Sequence, residues 1–121
     1  MAIIGIDHVQ LAMPPGGEPA AIAFYEGVLG ITNVPKPAHL ASRGGCWFED
    51  PPVRVHLGTE PDFRPARKAH PALVVDDLDA VVGQLEQYGF AVRVDVAPDG
   101  GAQHYVDDPF GNRIELVAPR A

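Results

Sequence analysis

Hydrophobic and polar residues alternate from Ile3 to Met13, which predicts a strand with Ile4, Ile6, His8 and Gln10 on one face and Ile3, Val9 and Leu11 on the other. Both faces are largely apolar, so this strand is expected to be covered on two sides and His8 to be half-buried. Pro14-Pro15-Gly16-Gly17 breaks the pattern, and the period then changes. From Pro19 to Leu29, Ile22, Tyr25 and Leu29, with Ala21, Phe24 and Val28 beside them, show the three-and-four spacing of a packed helix face; Gly30 is placed to end it. A short strand, Thr32 to Val34, runs into Pro35 and Pro37. Two further strands flank Asp50-Pro51-Pro52, a turn in which proline sets the backbone angle and aspartate supplies a local hydrogen bond.

Gly58 to Ala69 has no apolar period and reads as a connector. It carries Arg64, Arg67 and Lys68, which suit either a solvated loop or a cover that meets an anionic group. A new strand, His70 to Asp77, then leads at Asp77 into a helix whose apolar residues are Leu78, Val81, Val82, Leu85 and Tyr88, with Gly89 as its stop. Phe90 to Val96 reads as a strand, Pro98-Asp99-Gly100-Gly101 as a turn, and Gln103 to Val117 as a closing hairpin.

The second half repeats the first. His70 lies 62 positions after His8, Gly89 59 after Gly30, Asp108 58 after Asp50, and Glu115 59 after His56. Each half reads strand, helix, strand, strand, strand. The expectation is an α+β fold of two tandem βαβββ modules in one domain, 1–121. Module 1 covers about 1–58, a connector 59–69 and module 2 about 70–121, with the sheets packed together because one module alone would leave an apolar face uncovered.

With 121 residues the chain has room for one core. Its formal charge of -7, with only nine Lys and Arg, argues against a nucleic-acid partner and would suit a cationic ligand. No apolar run approaches a membrane span and no signal sequence precedes Ile3, so a cytoplasmic protein is expected. The single cysteine, Cys46, sits in an apolar strand and reads as a small buried hydrophobe rather than a nucleophile.

The repeat superposes His8 on His70, in first strands, and His56 on Glu115, in last strands. Alone, each has a plainer reading as a satisfied core or surface residue. Together, three imidazoles and a carboxylate form a mixed nitrogen and oxygen set for a divalent transition metal, and an ion would offset the several kcal/mol that burying such groups unpaired costs. Trp47 and Tyr105 fall at equivalent places on neighbouring strands, where core packing and pocket lining both fit them. His39 and His104 have no repeat partner of their own type and read as surface residues.

Asp7-His8-Val9-Gln10-Leu11, Phe24-Tyr25-Glu26-Gly27-Val28-Leu29-Gly30 and Asp108-Pro109-Phe110-Gly111-Asn112-Arg113-Ile114-Glu115-Leu116 together resemble the vicinal oxygen chelate superfamily of glyoxalases, bleomycin-resistance proteins and extradiol dioxygenases, over essentially the whole chain. The resemblance implies a glyoxalase-like fold, a cupped mixed sheet around a divalent metal (Fe, Mn, Ni, Co or Zn), ligands at His8, His56, His70 and Glu115, and a homodimer. Where glyoxalase-type members carry a carboxylate or amide, this chain has His56. It implies an enzyme of lyase, isomerase or dioxygenase type, whose small substrate chelates the ion while the metal stabilises an enolate or oxyanion and Glu115 acts as base. The alternatives are a metal-free, antibiotic-sequestering protein of the bleomycin-resistance type and a domain that binds metal only for structure.

Overall fold

In the first module the strands are β1 (Val9–Met13), β2 (Asn33–Val34), β3 (Cys46–Asp50) and β4 (Val53–Thr59), hydrogen-bonded in the order β1-β4-β3-β2. β1 runs parallel to β4, which the long connection through the helix permits, and β3 runs antiparallel to β4 and β2. The second module repeats the plan. Its β5 (Ala72–Val74), β6 (Arg93–Val96), β7 (Ala102–Asp107) and β8 (Arg113–Val117) form a sheet in the order β5-β8-β7-β6, with β5 parallel to β8. The fold is α+β, with two βαβββ modules and two mixed four-stranded sheets. The computed structural model describes residues 1–120, which divide into two units; the first ends at Arg64 and the second begins at Pro65. Among the described residues no helix is long and apolar enough to cross a membrane.

Alternation decides which side of each sheet is buried. In the first module Leu11, Met13, Cys46, Phe48, Val55 and Leu57 point to one side and are all buried. In the second, Val106, Ile114 and Leu116 do the same, with Leu85 of helix α2 (Leu78–Gln87) also in the core. Each fully buried side chain of this size contributes about 1.5–3 kcal/mol.

Several elements end where their partners end. The first strand begins at Val9 rather than Ile3, because Val9 pairs with Val55 and β4 itself begins at Val53. Residues before Asp7 therefore have no ladder to join in this sheet. Ile3, Ile4 and Ile6 are 96%, 99% and 81% exposed, and His8, expected half-buried, is exposed. β5 is confined to three residues; Pro71, which has no N–H, takes part only through its carbonyl, accepting from Glu115 N at 3.0 Å. β6 starts at Arg93 because Phe90 N–H is spent on Leu85 O at the helix end.

The helix expected over 19–29 is a short α1 (Glu18–Ile22) that widens over Ala23–Val28 into π-type turns, with Leu29 N donating to Phe24 O at 2.9 Å, five residues back. The wider turn lets the consecutive Phe24 and Tyr25 both enter the core beside Ala21. Gly30 ends it in the left-handed region. α2 is capped as its sequence indicates: Asp77 accepts from Ala80 N at 3.0 Å. A 3₁₀ helix over Ala38–Arg43 has no counterpart in the sequence reading, where Pro35 and Pro37 read only as breakers; Pro37 precedes its first turn, where no N–H is needed.

Gly45 combines a φ of +82° with a close approach, since a Cβ there would lie 2.1 Å from Leu57 O. Gly16 has φ +83° and open space. In urea denaturation, Gly16→Ala is expected to cost about 1–2 kcal/mol, the left-handed penalty alone, and Gly45→Ala distinctly more, because β3 must leave β4. Burial, reinforced by Glu18 and opposed by Lys36, pushes the Cys46 thiol up to about 11. At neutral pH it carries no thiolate, so an aromatic disulfide reagent is expected to label it only after denaturant unfolds the first module.

Candidate functional site

The faces opposite the cores carry the polar side chains. In the first module one cross-strand row is Gln10, His56 and Trp47 on β1, β4 and β3, with Arg54 and Glu49 in the next row. In the second module the matching row is Ala72, Glu115 and Tyr105 on β5, β8 and β7, extended by Arg93 on β6, with Arg113 and Asp107 in the next. The register of the two sheets reproduces the sequence offsets position by position, so His56 and Glu115 occupy the same place in their modules.

Glu115 is joined by His70, two residues ahead of β5: His70 Nε2 lies 3.0 Å from Glu115 Oε1. The other ring nitrogen, Nδ1, donates to Lys68 O at 2.7 Å, because a carbonyl can only accept. In the neutral ring Nε2 is then a lone pair facing a carboxylate, so the contact calls for a proton or a cation between the two atoms. Ligating imidazoles commonly donate their second N–H to a backbone carbonyl, as His70 does here. Both side chains are partly shielded, at 24% and 12% exposure.

His56 is treated differently. It is buried, sandwiched between Trp47, with ring centroids 4.0 Å apart and planes 2° from parallel, and His8, at 4.4 Å and 21°. Its Nε2 meets Glu49 Oε2 at 2.7 Å, and Arg54 Nε stands 3.9 Å from the other Glu49 oxygen. His8 Nδ1 bonds Asp7 Oδ1 at 2.8 Å, and this bond is the main reason the Asp7 carboxyl titrates below its usual range. The first module thus brings His8 and His56 together, and the second brings His70 and Glu115 together. Among the described residues no group of three or more His, Cys, Asp or Glu side chains is arranged to hold a metal ion.

Trp47 lines an open pocket of about 220 Å³ with Gln10, Lys36 and Arg43. Tyr105 is buried beneath the Arg113 guanidinium, 5.1 Å from the ring centre. His39 is exposed, as expected, whereas His104 is half-buried: it pairs with Val94 and Leu116 on the apolar side of its sheet, and its Nδ1 is buried with no partner among the described residues. Glu49 was missed, although alternation from Trp47 puts it on the same face. The Asp108-to-Asn112 turn also does unforeseen work. Asp108 Oδ1 accepts from the N–H groups of Phe110 and Asn112, Oδ2 accepts from Asn112 Nδ2, and Asn112 Oδ1 accepts from Ala66 N.

Two four-stranded βαβββ sheets that turn histidines and a carboxylate to their polar faces define a glyoxalase-like protein. The chain belongs to the Glyoxalase/Bleomycin resistance protein/Dioxygenase superfamily, whose model matches residues 5–116. A crystal structure of a glyoxalase family protein from Bacillus anthracis is 44% identical with a TM-score of 0.92, covering 99% of this chain and 98% of that one. A fosfomycin resistance protein of Listeria monocytogenes (15% identity, TM-score 0.76, 98% of this chain and 96% of that one) and a lactoylglutathione lyase of Agrobacterium tumefaciens (21%, 0.74, 97% and 95%) share the fold. A phosphoribosyl imidazole-4-carboxamide isomerase of Xanthobacter autotrophicus is 33% identical over 100 residues, 75% of this chain, and the match spans only 41% of that enzyme's length.

Removing the Glu49 carboxylate leaves a buried imidazole without its partner. Glu49→Ala is expected to lower the unfolding free energy by about 1–3 kcal/mol in urea titrations, and Glu49→Gln, which keeps an acceptor, by less.

Proposed function

We propose that the chain is a metal-dependent enzyme of this superfamily, of lyase, isomerase or dioxygenase type, acting on a small molecule that chelates a divalent ion through neighbouring oxygens. The observation that carries the reading is the His70–Glu115 contact at 3.0 Å: Lys68 O takes the Nδ1 proton, so the Nε2 that faces the carboxylate needs a proton or a cation between the two atoms. His70 and Glu115 would hold the metal, with His8 and His56 as the first module's proposed ligands; ligation by His56 Nε2 requires its contact with Glu49 to open. When bound, the ion supplies Lewis acidity toward a substrate oxygen where negative charge develops.

Glu115 is the proposed base. A carboxylate oxygen already held within hydrogen-bond distance of a ring nitrogen can exchange that partner for a substrate proton and return it to a neighbouring atom. His70, tied to Lys68 O, keeps its ring oriented through that exchange. Tyr105, directly across the sheet from Glu115, and Trp47, at the matching place in the first module, are the proposed substrate-lining residues. A homodimer is part of the proposal and is supported by the exposed Ile3, Ile4, Ile6 and Val74, apolar surface that a second copy would cover.

A metal-free binding protein is the second reading. It is favoured by the same two acid–histidine contacts, since a protonated imidazole satisfies each carboxylate without an ion.

Metal content separates the two readings. Protein purified without chelator is expected to carry a divalent ion, to lose thermal stability on chelator treatment, and to bind the ion ~10-fold or more weakly as His70→Ala or Glu115→Ala. Protein without bound metal, whose melting point chelator does not move, would favour sequestration; unchanged occupancy in both variants would sink the ligand assignment.

A further inference from the structure

The second module has an open pocket of about 510 Å³ whose walls include Arg67, Arg93 and Arg113 with one acid, Asp107. Three of the chain's nine Lys and Arg residues converge there, in a protein with 16 acids. The sheet register explains two of them. Arg93 pairs with Tyr105, Tyr105 with Glu115, and Asp107 with Arg113, so all five side chains leave the sheet on one face. The third arrives through the Asp108–Asn112 network: Asn112 Oδ1 accepts from Ala66 N at 3.0 Å and Arg113 N donates to Ala66 O at 2.9 Å, which pins the segment carrying Arg67 to the start of β8.

Their partners do not use up their donors. Arg93 bonds Asp107 Oδ1 at 2.9 Å. Arg113 lies over the Tyr105 ring, and its Nε is buried with no hydrogen-bond partner among the described residues. Arg67 is exposed and forms no ion pair among the described residues. A buried donor left unmet is costly, and guanidinium forks match the planar oxygens of carboxylates and phosphates.

We propose that this pocket is a binding subsite for a single oxyanion, a carboxylate or phosphoryl group, on a small-molecule ligand. Arg113 supplies the shielded donor, Arg67 the exposed outer charge, and Asp107 competes with the ligand for Arg93. The negative charge of the rest of the chain disfavours polyanions, so the occupant is small. Arg113 and Glu115 are two residues apart on one face of β8, roughly 7 Å along the strand. The ligand that suits both would carry its anionic group about that far from the oxygens presented to Glu115. This last placement rests on the proposed function; oxyanion binding by the pocket does not.

The test uses chelator-treated, metal-free protein titrated with inorganic phosphate, and separately with acetate, at constant ionic strength, followed by amide NMR shifts. Saturable shifts are expected in residues 66–67 and 110–113. Arg67→Gln and Arg113→Gln should each weaken binding about tenfold, Asp107→Asn should tighten it, and Arg120→Gln should leave it unchanged. Tighter binding of phosphate than of acetate would assign the pocket to phosphoryl groups, and the reverse to carboxylates. Arg67 is exposed, so its variant remains informative if Arg113→Gln destabilises the fold. No saturable shift with either anion, or binding that persists undiminished in Arg67→Gln, overturns the proposal. Loss of metal binding with phosphate binding intact would overturn only the proposed function.

Discussion

Parallel pairing of each module's first strand with its last is the constraint on which the rest depends. It sets β1 against β4 and β5 against β8, so that residues far apart in the chain become neighbours on one sheet face. His70 meets Glu115 across 45 positions only because Ala72 is in register with Glu115. Closing a loop of that length costs on the order of 3 kcal/mol plus a constant. Burying Val106, Ile114, Leu116 and Leu85 on the opposite side offsets it at roughly 1.5–3 kcal/mol each. The apolar face therefore stabilises the geometry in which the polar face can work.

Period-two alternation and the repeat offsets were enough to read much of this from the residues alone. The βαβββ plan and the equivalence of His56 with Glu115 and of Trp47 with Tyr105 follow from them, and the two sheets have that register. Strand ends did not follow, because a strand extends only as far as its neighbour does: Ile3, Ile4 and Ile6 have good strand character and no ladder beside them. The widening of the first helix into π-type turns depends on both Phe24 and Tyr25 needing the core, which periodicity at 3.6 residues does not express. His104 looked like a surface residue because its face is set by register with Leu116, not by local sequence. Partners such as Glu49 for His56 and Lys68 O for His70 are three-dimensional facts with weak sequence traces.

Equivalent positions have been put to different uses in the two modules. His56, sealed between Trp47 and His8 and bonded to Glu49, is held in place by packing on both ring faces. Glu115, in the same position, meets one imidazole and keeps some exposure. The turn acids differ as well: Asp50 accepts from Thr32 N and Oγ1, tying the strand end to the segment before β2, whereas Asp108 is buried in the network with Asn112. Shared register with divergent partners leaves His56 held on both ring faces and Glu115 more open to its surroundings.

The Asp-Pro-Phe-Gly-Asn stretch shows how that division is built. Asp108 and Asn112 spend hydrogen bonds on the turn and on Ala66. Both are buried, so these bonds avoid the desolvation penalty of unpaired polar groups, and the network is rigid for the same reason. That rigidity fixes the start of β8, and β8 then delivers Arg113 and Glu115 to one face by alternation. A substitution at Asp108 or Asn112 would therefore act through the placement of Arg113 and Glu115 on that face.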